Sequence, residues 1–364
     1  MSAEPAARPA AAAPQAAAAS PYAGLPPRAY WRSGVAERTP LEPGDLFQPR
    51  FPVGREMRIA TAGSCFAQHV GRALRGAGFD VIDTEPLPDA VPDAVANRFG
   101  YRLFSARYGN VYTARQLAQL LAEAHGEVTP ALPVWRRGDR FVDAQRPGVE
   151  PDGLDSAASV LRHRERHLAR VRDAFAAADL VVFTFGLTEA WVHAETGTVY
   201  PTAPGTLAGS HDPDVFAFRN YDVPSVLGDF EAVRARLKRA RPSLRFLVTV
   251  SPVPLTATAT GGHVEVATCY SKAVLRAVCG MLVERHEDVD YFPSFELITS
   301  QTARGAFYEP NARSVSPIGV ATAMRLFLSA HGIDPAGAAR PRRRGRADRA
   351  EEVCEEALLE SFAT

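Results

Sequence analysis

Cysteine is scarce: four residues, at 65, 269, 279 and 354, with no C-x-x-C pair and no regular spacing. That excludes a disulfide framework and a zinc ribbon, and it reads as free thiols in a reducing compartment. Net charge is missing too, since 41 Lys and Arg balance 41 Asp and Glu. Nucleic-acid proteins usually carry a basic surplus. Here the surplus is confined to Arg340, Arg342, Arg343, Arg344, Arg346 and Arg349 in one short tail, which reads as a solvated linker. No apolar run approaches the roughly 20 residues that span a bilayer. Neither G-x-x-x-x-G-K nor H-E-x-x-H occurs, so no phosphate loop, metal or cofactor is expected. The start, MSAEPAARPAAAAPQAAAAS, lacks a basic opening and a leucine-rich stretch, and prolines interrupt its alanines. Residues 1–25 are therefore expected to form a disordered leader, and the protein to be cytoplasmic with neither nucleic acid nor membrane as partner.

What is present is a chain of 364 residues, 46% of them apolar, enough for a substantial core. One domain is expected over 26–333. An Arg-rich linker and a short helix would follow over 334–364, with Val353, Ala357, Leu358 and Phe362 on one side. Inside the domain the elements alternate. RIATA reads as a buried strand, followed by a helix from Phe66 to Arg75; GFDVID is a strand, and TARQLAQLLAEA carries leucines at helical spacing. SAASVLRHRERHLARVRDAFAAA is a long helix. DLVVFTFG is the clearest buried strand, continuous, β-branched and aromatic. VPSVLGDFEAVRARLKRA, LRFLVTVSP, SKAVLRAVCGMLVER, VDYFPSFEL and SPIGVATAMRLFLSAHG continue as helix, strand, helix, strand and helix. This order predicts an α/β fold with a parallel sheet and helices on both faces. Sites in such sheets lie in loops beyond the carboxyl ends of the strands.

Ser64 sits at such an end, directly after the first strand and before a helix. It reads either as an ordinary N-cap or as an exposed hydroxyl in the positive field of the helix terminus. Cys65 reads as buried packing, with a thiol of lowered pKa as the alternative.

AGSCFA, FTFGLTEAW, TVSPVPLTA, YSKAVLR and YFPSFELI follow one another in this order. On these motifs the chain, from about Tyr22 to Leu328, resembles the GSCFA-domain family, a relative of the SGNH (GDSL-like) esterases and acyltransferases. The resemblance implies a flavodoxin-like, mostly parallel sheet of about five strands. It implies Ser64 as a nucleophile, forming an acyl-enzyme that water or a sugar hydroxyl resolves, with its backbone N–H in the oxyanion hole. Gly109 and Asn110 of YGNVYTA are the candidates for the second block, although Asn110 reads equally as a turn residue before a helix. The third block is Gly186-Leu187-Thr188-Glu189, with Thr188 able to donate where an asparagine is expected. Glu189, Tyr270 and Lys272 complete the substrate-binding set.

One departure concerns the base. The region matching the family's D-x-x-H block is FYEPNARSVSPIG, which contains no histidine. A serine nucleophile needs a base within hydrogen-bond reach. His263 is expected to supply it from the loop after the fourth strand, oriented by Glu296, with Glu189 as the competing carboxylate. Lys272 is the alternative if desolvation lowers its pKa, and His193 and His211 remain behind it. The expected substrate is a small-molecule or glycan ester. The rival reading is a catalytically inactive module that binds an acylated glycan or peptide.

Overall fold

The structure, a computed structural model, describes residues 20–334 and 355–363. The arginine cluster, Val353, Cys354 and most of the expected leader lie outside the described residues. In chain order the first half comprises β1 (Arg58–Gly63), α1 (Cys65–Gly76), β2 (Asp80–Val81), α2 (Asp93–Arg98), α3 (Ala114–Ala124), β3 (Val134–Arg137), β4 (Arg140–Asp143) and α4 (Ala157–Ala177). The second half comprises β5 (Leu180–Phe185), β6 (Glu189–His193), β7 (Val199–Tyr200), β8 (Phe216–Asn220), α5 (Val223–Ala240), β9 (Arg245–Val250), α6 (Val264–Arg285), β10 (Val289–Tyr291), α7 (Ser294–Thr299) and α8 (Pro317–Ala330).

Five strands form one parallel sheet in the order β2-β1-β5-β9-β10. Counted among themselves these strands run 2-1-3-4-5, the flavodoxin-like order. The continuous apolar sequence of β5 suits its central position, where every residue is buried. The pleat divides its side chains between two cores. Val181, Phe183 and Phe185 face one with Ala60, Phe246 and Val248; Leu180 and Val182 face the other with Ile59 and Leu247. Phe183 and Phe185 meet Phe230 of α5 at ring separations of 5.8 and 5.2 Å. Truncating such a ring to Ala typically costs about 3–5 kcal/mol. On the opposite face α1 buries Phe66, Val70 and Leu74 beside Phe327 of α8.

α6 is the one described helix long and apolar enough, by length and composition, to cross a bilayer. Here it packs Val274, Leu275, Val278 and Leu282 against the sheet.

Beyond the carboxyl edge lie an antiparallel sheet, β7-β6-β8, and the hairpin β3-β4. Trp135, Tyr200 and Phe216 pack between them. Two boundaries differ from those expected. α6 starts at Val264, seven residues before Ser271, because His263 caps it through an Nδ1 that accepts from the Glu265 N–H at 3.2 Å. The last strand stops at Tyr291, and SFELIT forms α7 behind Pro293. At the C-terminus, Glu355–Phe362 forms a 3-10 helix in which Leu358 and Phe362 are exposed rather than packed.

Candidate active site

Three segments converge at the carboxyl end of β1. Gly63 brings the backbone there with φ +141°, and a Cβ on it would fall 2.5 Å from the Thr184 carbonyl oxygen, so only glycine fits. The Ser64 N–H donates to that same carbonyl at 3.1 Å. The Val111 N–H donates to Gly63 O at 2.8 Å, which lays the Gly109–Tyr112 segment alongside. Gly186 closes the group: its N–H and that of Leu187 both donate to the Tyr112 carbonyl, at 3.0 and 3.3 Å. A Cβ on Gly186 would meet the Ser64 Cβ at 2.9 Å.

Ser64 occupies the N-cap position of α1 but does not cap it. Thr113, Ser156, Asp222 and Ser316 each accept a hydrogen bond from a backbone N–H of the helix they begin. The Ser64 hydroxyl, 2% exposed as a residue, has no hydrogen-bond partner among the described residues. Among the described residues no imidazole and no amine hydrogen-bonds to it. A buried orphan hydroxyl costs on the order of 1–3 kcal/mol, so the site carries a strained polar group at the helix's positive end.

The groups expected to line an oxyanion hole are otherwise engaged. The Ser64 and Gly186 N–H groups bond to backbone, the Thr188 N–H donates to Ser271 Oγ at 3.0 Å, and Thr188 Oγ1 donates to Asn220 Oδ1 at 2.6 Å. Asn110 is buried and accepts from Gln68 Nε2 at 3.0 Å, while its carbonyl accepts from Gln116 Nε2 at 2.9 Å. Gly109 turns the chain before it with φ +71°.

His263 and Glu296 are not brought to Ser64 or to each other. His263 is exposed and spends Nδ1 on its helix cap, since the loop expected there is the first turn of α6. Glu296 lies in the first turn of α7 and accepts from Arg276 Nε and from the Tyr291 hydroxyl at 2.7 Å. The Arg276 guanidinium sits 4.2 Å from the Tyr291 ring centre, so Glu296 completes a packed cation–aromatic pair. Tyr270 is 46% exposed on α6. His193 holds a turn through Thr196, and His211 packs against Trp191.

Lys272 does reach the neighbourhood. It is 4% exposed, and its Nζ donates to the Gly186 carbonyl at 2.5 Å. Glu189 is also buried, accepting from Thr258 Oγ1 at 2.7 Å and from the Ala259 N–H at 3.3 Å. Cys65 is buried against the α1 side of the sheet.

A cavity of about 200 Å³ opens beside this cluster. Its walls are mostly apolar and aromatic, including Tyr112, Leu187, Trp191, Tyr200 and Leu255, with Glu189 among them. Leu359 of the C-terminal 3-10 helix forms part of its wall. Ser64 lies behind Tyr112, Gly186 and Leu187 and is not part of it. Tyr112 and Leu187, missed as functional residues, sit inside the YGNVYTA and FTFGLTEAW motifs; nothing in the sequence marks Leu359.

The sequence profile of the GSCFA family matches residues 58–327, from the first residue of β1 into α8. The chain belongs to the GSCFA family. The match takes in all five strands of the parallel sheet and the whole cluster from Ser64 to Lys272. Among curated proteins, none is significantly similar to this GSCFA chain.

Proposed function

We propose that this GSCFA chain binds an acylated small molecule or glycan without cleaving it. The acyl group would lie among Tyr112, Leu187, Trp191 and Leu255, and a hydroxyl or amide N–H of the ligand would donate to Glu189. The observation that carries this reading is the Ser64 hydroxyl, buried and hydrogen-bonded to no base among the described residues. A serine without a base is a weak nucleophile. The region matching an SGNH D-x-x-H block supports it. There Asn311 Oδ1 accepts from the Arg313 and Ser314 N–H groups, and Asn311 Nδ2 donates to Ser314 Oγ at 3.1 Å. Asn311 and Ser314 thus hold a turn in a segment, FYEPNARSVSPIG, that contains no histidine.

A second reading, an SGNH-like ester hydrolase or O-acyltransferase, is favoured by the failure of Ser64 to cap its helix. On that reading Gly186 and Leu187 swing aside, Ser64 Oγ attacks the acyl carbon, and Lys272, freed from Gly186 O and deprotonated, takes the hydroxyl proton. Lys272 returns that proton to the departing oxygen, which leaves as the alcohol. Water or a sugar hydroxyl then attacks the acyl-enzyme, giving its proton to Lys272, which passes it back to Ser64 Oγ.

Two measurements separate the readings: fluorophosphonate labelling with Ser64→Ala as control, and calorimetric titration with glucose pentaacetate. Binding of the ester, weakened about tenfold by Trp191→Ala, with no label on Ser64 is the expected result. Labelling of Ser64 together with hydrolysis of p-nitrophenyl acetate would establish the enzyme instead.

A further inference from the structure

A second cavity, of about 330 Å³, shares Gln116 with the first and lies between α3, α4 and the turn after β4. Its rim includes Val128, Thr129 and Thr196, all exposed, so it communicates with solvent. Inside it are Arg146, Arg164, His167 and Gln145. Arg164 uses four of its five N–H donors on carboxylates. Its Nη1 donates to both Asp143 oxygens, at 2.9 and 3.0 Å, and its Nε and Nη2 both donate to Glu123. Arg146 spends Nε on Asp143 at 2.8 Å and Nη1 on the Arg107 carbonyl at 3.0 Å, leaving Nη2 without a hydrogen bond.

His167, 1% exposed, is held through Nδ1 by Glu85 at 2.8 Å. Burial, and then the charge of Arg146, pushes its pKa down to about 4. Burial alone would raise Glu85, but the bonds from His167 and the Arg107 N–H outweigh it and hold the carboxyl at about 2. Nδ1–H is therefore the donor to a charged Glu85, and Nε2 is a bare acceptor. That Nε2 has no partner, and neither has the buried Nε2 of Gln145. Two orphaned polar groups on one cavity wall, unlike each other in hydrogen-bond sense, form a built site.

We infer that this cavity is a second binding site, independent of the one beside Ser64, for a compact uncharged polyol or monosaccharide. A hydroxyl is the group that both donates to His167 Nε2 and accepts from Gln145 Nε2 or Arg146 Nη2. Arg146 and Arg164 are balanced by Asp143 and Glu123, so a fully charged ligand finds no unmatched counter-charge. Tyr108, Val111 and Leu120 supply the apolar surface on which the carbon face of a sugar rests.

Saturation-transfer NMR on the full chain with glycerol, glucose and N-acetylglucosamine tests it. At least one of the three receives saturation from wild type, and Gln145→Leu weakens its binding by about tenfold. The Gln145 side-chain nitrogen bonds nothing among the described residues, so that variant keeps the fold. His167→Gln, which retains an acceptor near Nε2, keeps binding, whereas His167→Phe loses it. Trp191→Ala, in the first cavity, changes nothing. No transfer to any of the three probes overturns the inference, as does transfer that survives Gln145→Leu or that Trp191→Ala abolishes.

Discussion

Gly186 lies so close to Ser64 that a Cβ on it would stand 2.9 Å from the serine Cβ and 3.0 Å from the Tyr112 carbonyl oxygen. Two of the three contacts are backbone, which cannot rotate away. Gly186→Ala should therefore destabilise the fold by about 1–3 kcal/mol, the scale of overpacking. Gly228, in α5 with nothing within 4 Å of its missing Cβ, provides the opposite case. Gly228→Ala should stabilise by about 0.5–1 kcal/mol through helix propensity. Urea denaturation of both variants checks the two signs together.

Ser64→Ala separates an orphan hydroxyl from a working cap. A functioning N-cap serine costs about 1 kcal/mol when removed, and Ser156, whose Oγ accepts from the Ser159 N–H at 3.2 Å, should show that loss. Ser64 accepts nothing. Its replacement should leave stability unchanged within about 0.5 kcal/mol, or raise it, because it removes a buried unpaired group. A loss as large as that of Ser156→Ala would mean that the hydroxyl caps α1 in solution.

The parallel sheet was legible because its strands announce themselves: β5 is continuously apolar, and the intervening helices repeat at the spacing that covers a sheet face. The position of Ser64 followed from that topology. What the sequence did not disclose was occupancy. Ser64 N–H, Gly186 N–H and Thr188 are of the right type for an oxyanion hole, but Thr184 O, Tyr112 O, Ser271 and Asn220 already hold them. These partners come from four separate parts of the chain, and no local pattern pairs them. His263 failed for a local reason. The segment after the fourth strand reads as a loop through His263, yet a histidine Nδ1 can accept the first N–H of a helix, and α6 begins there. Glu296 went with Arg276 because Pro293 ended the strand early and turned SFELIT into a helix.

Two histidines give the fold a pH dependence of known sign. Burial lowers His331 to about 4, with its Nδ1 accepting from the Val53 N–H at 3.2 Å, and His167 is likewise lowered to about 4 from 6.5. Both are neutral in the fold, so the unfolded chain binds more protons between these values. Stability is therefore full above pH 6.5 and falls as pH drops towards about 4. The slope reaches at most about 1.4 kcal/mol per pH unit for each proton taken up. Below that, protonation of Glu85 and Asp143, both held at about 2, continues the loss. Urea midpoints across this window should fall steadily, and His167→Gln should flatten the curve. A midpoint independent of pH from 6.5 to 4 would show that neither imidazole stays neutral in the fold.

Leu359 contributes to the wall of the cavity beside Ser64 and is half-buried, while its neighbours Leu358 and Phe362 are exposed. Its apolar side chain thus stands where part of an apolar ligand would rest, and a ligand entering must displace it or share the space. Half-burying a leucine is worth about 1 kcal/mol, a factor of roughly five in affinity. Leu359→Ser in the full chain should remove that competition and tighten glucose pentaacetate binding about fivefold. Calorimetric titration of the two proteins reads the difference directly. If Leu359→Ser weakened binding instead, the C-terminal segment would be a wall of the binding site, completing it around the ligand.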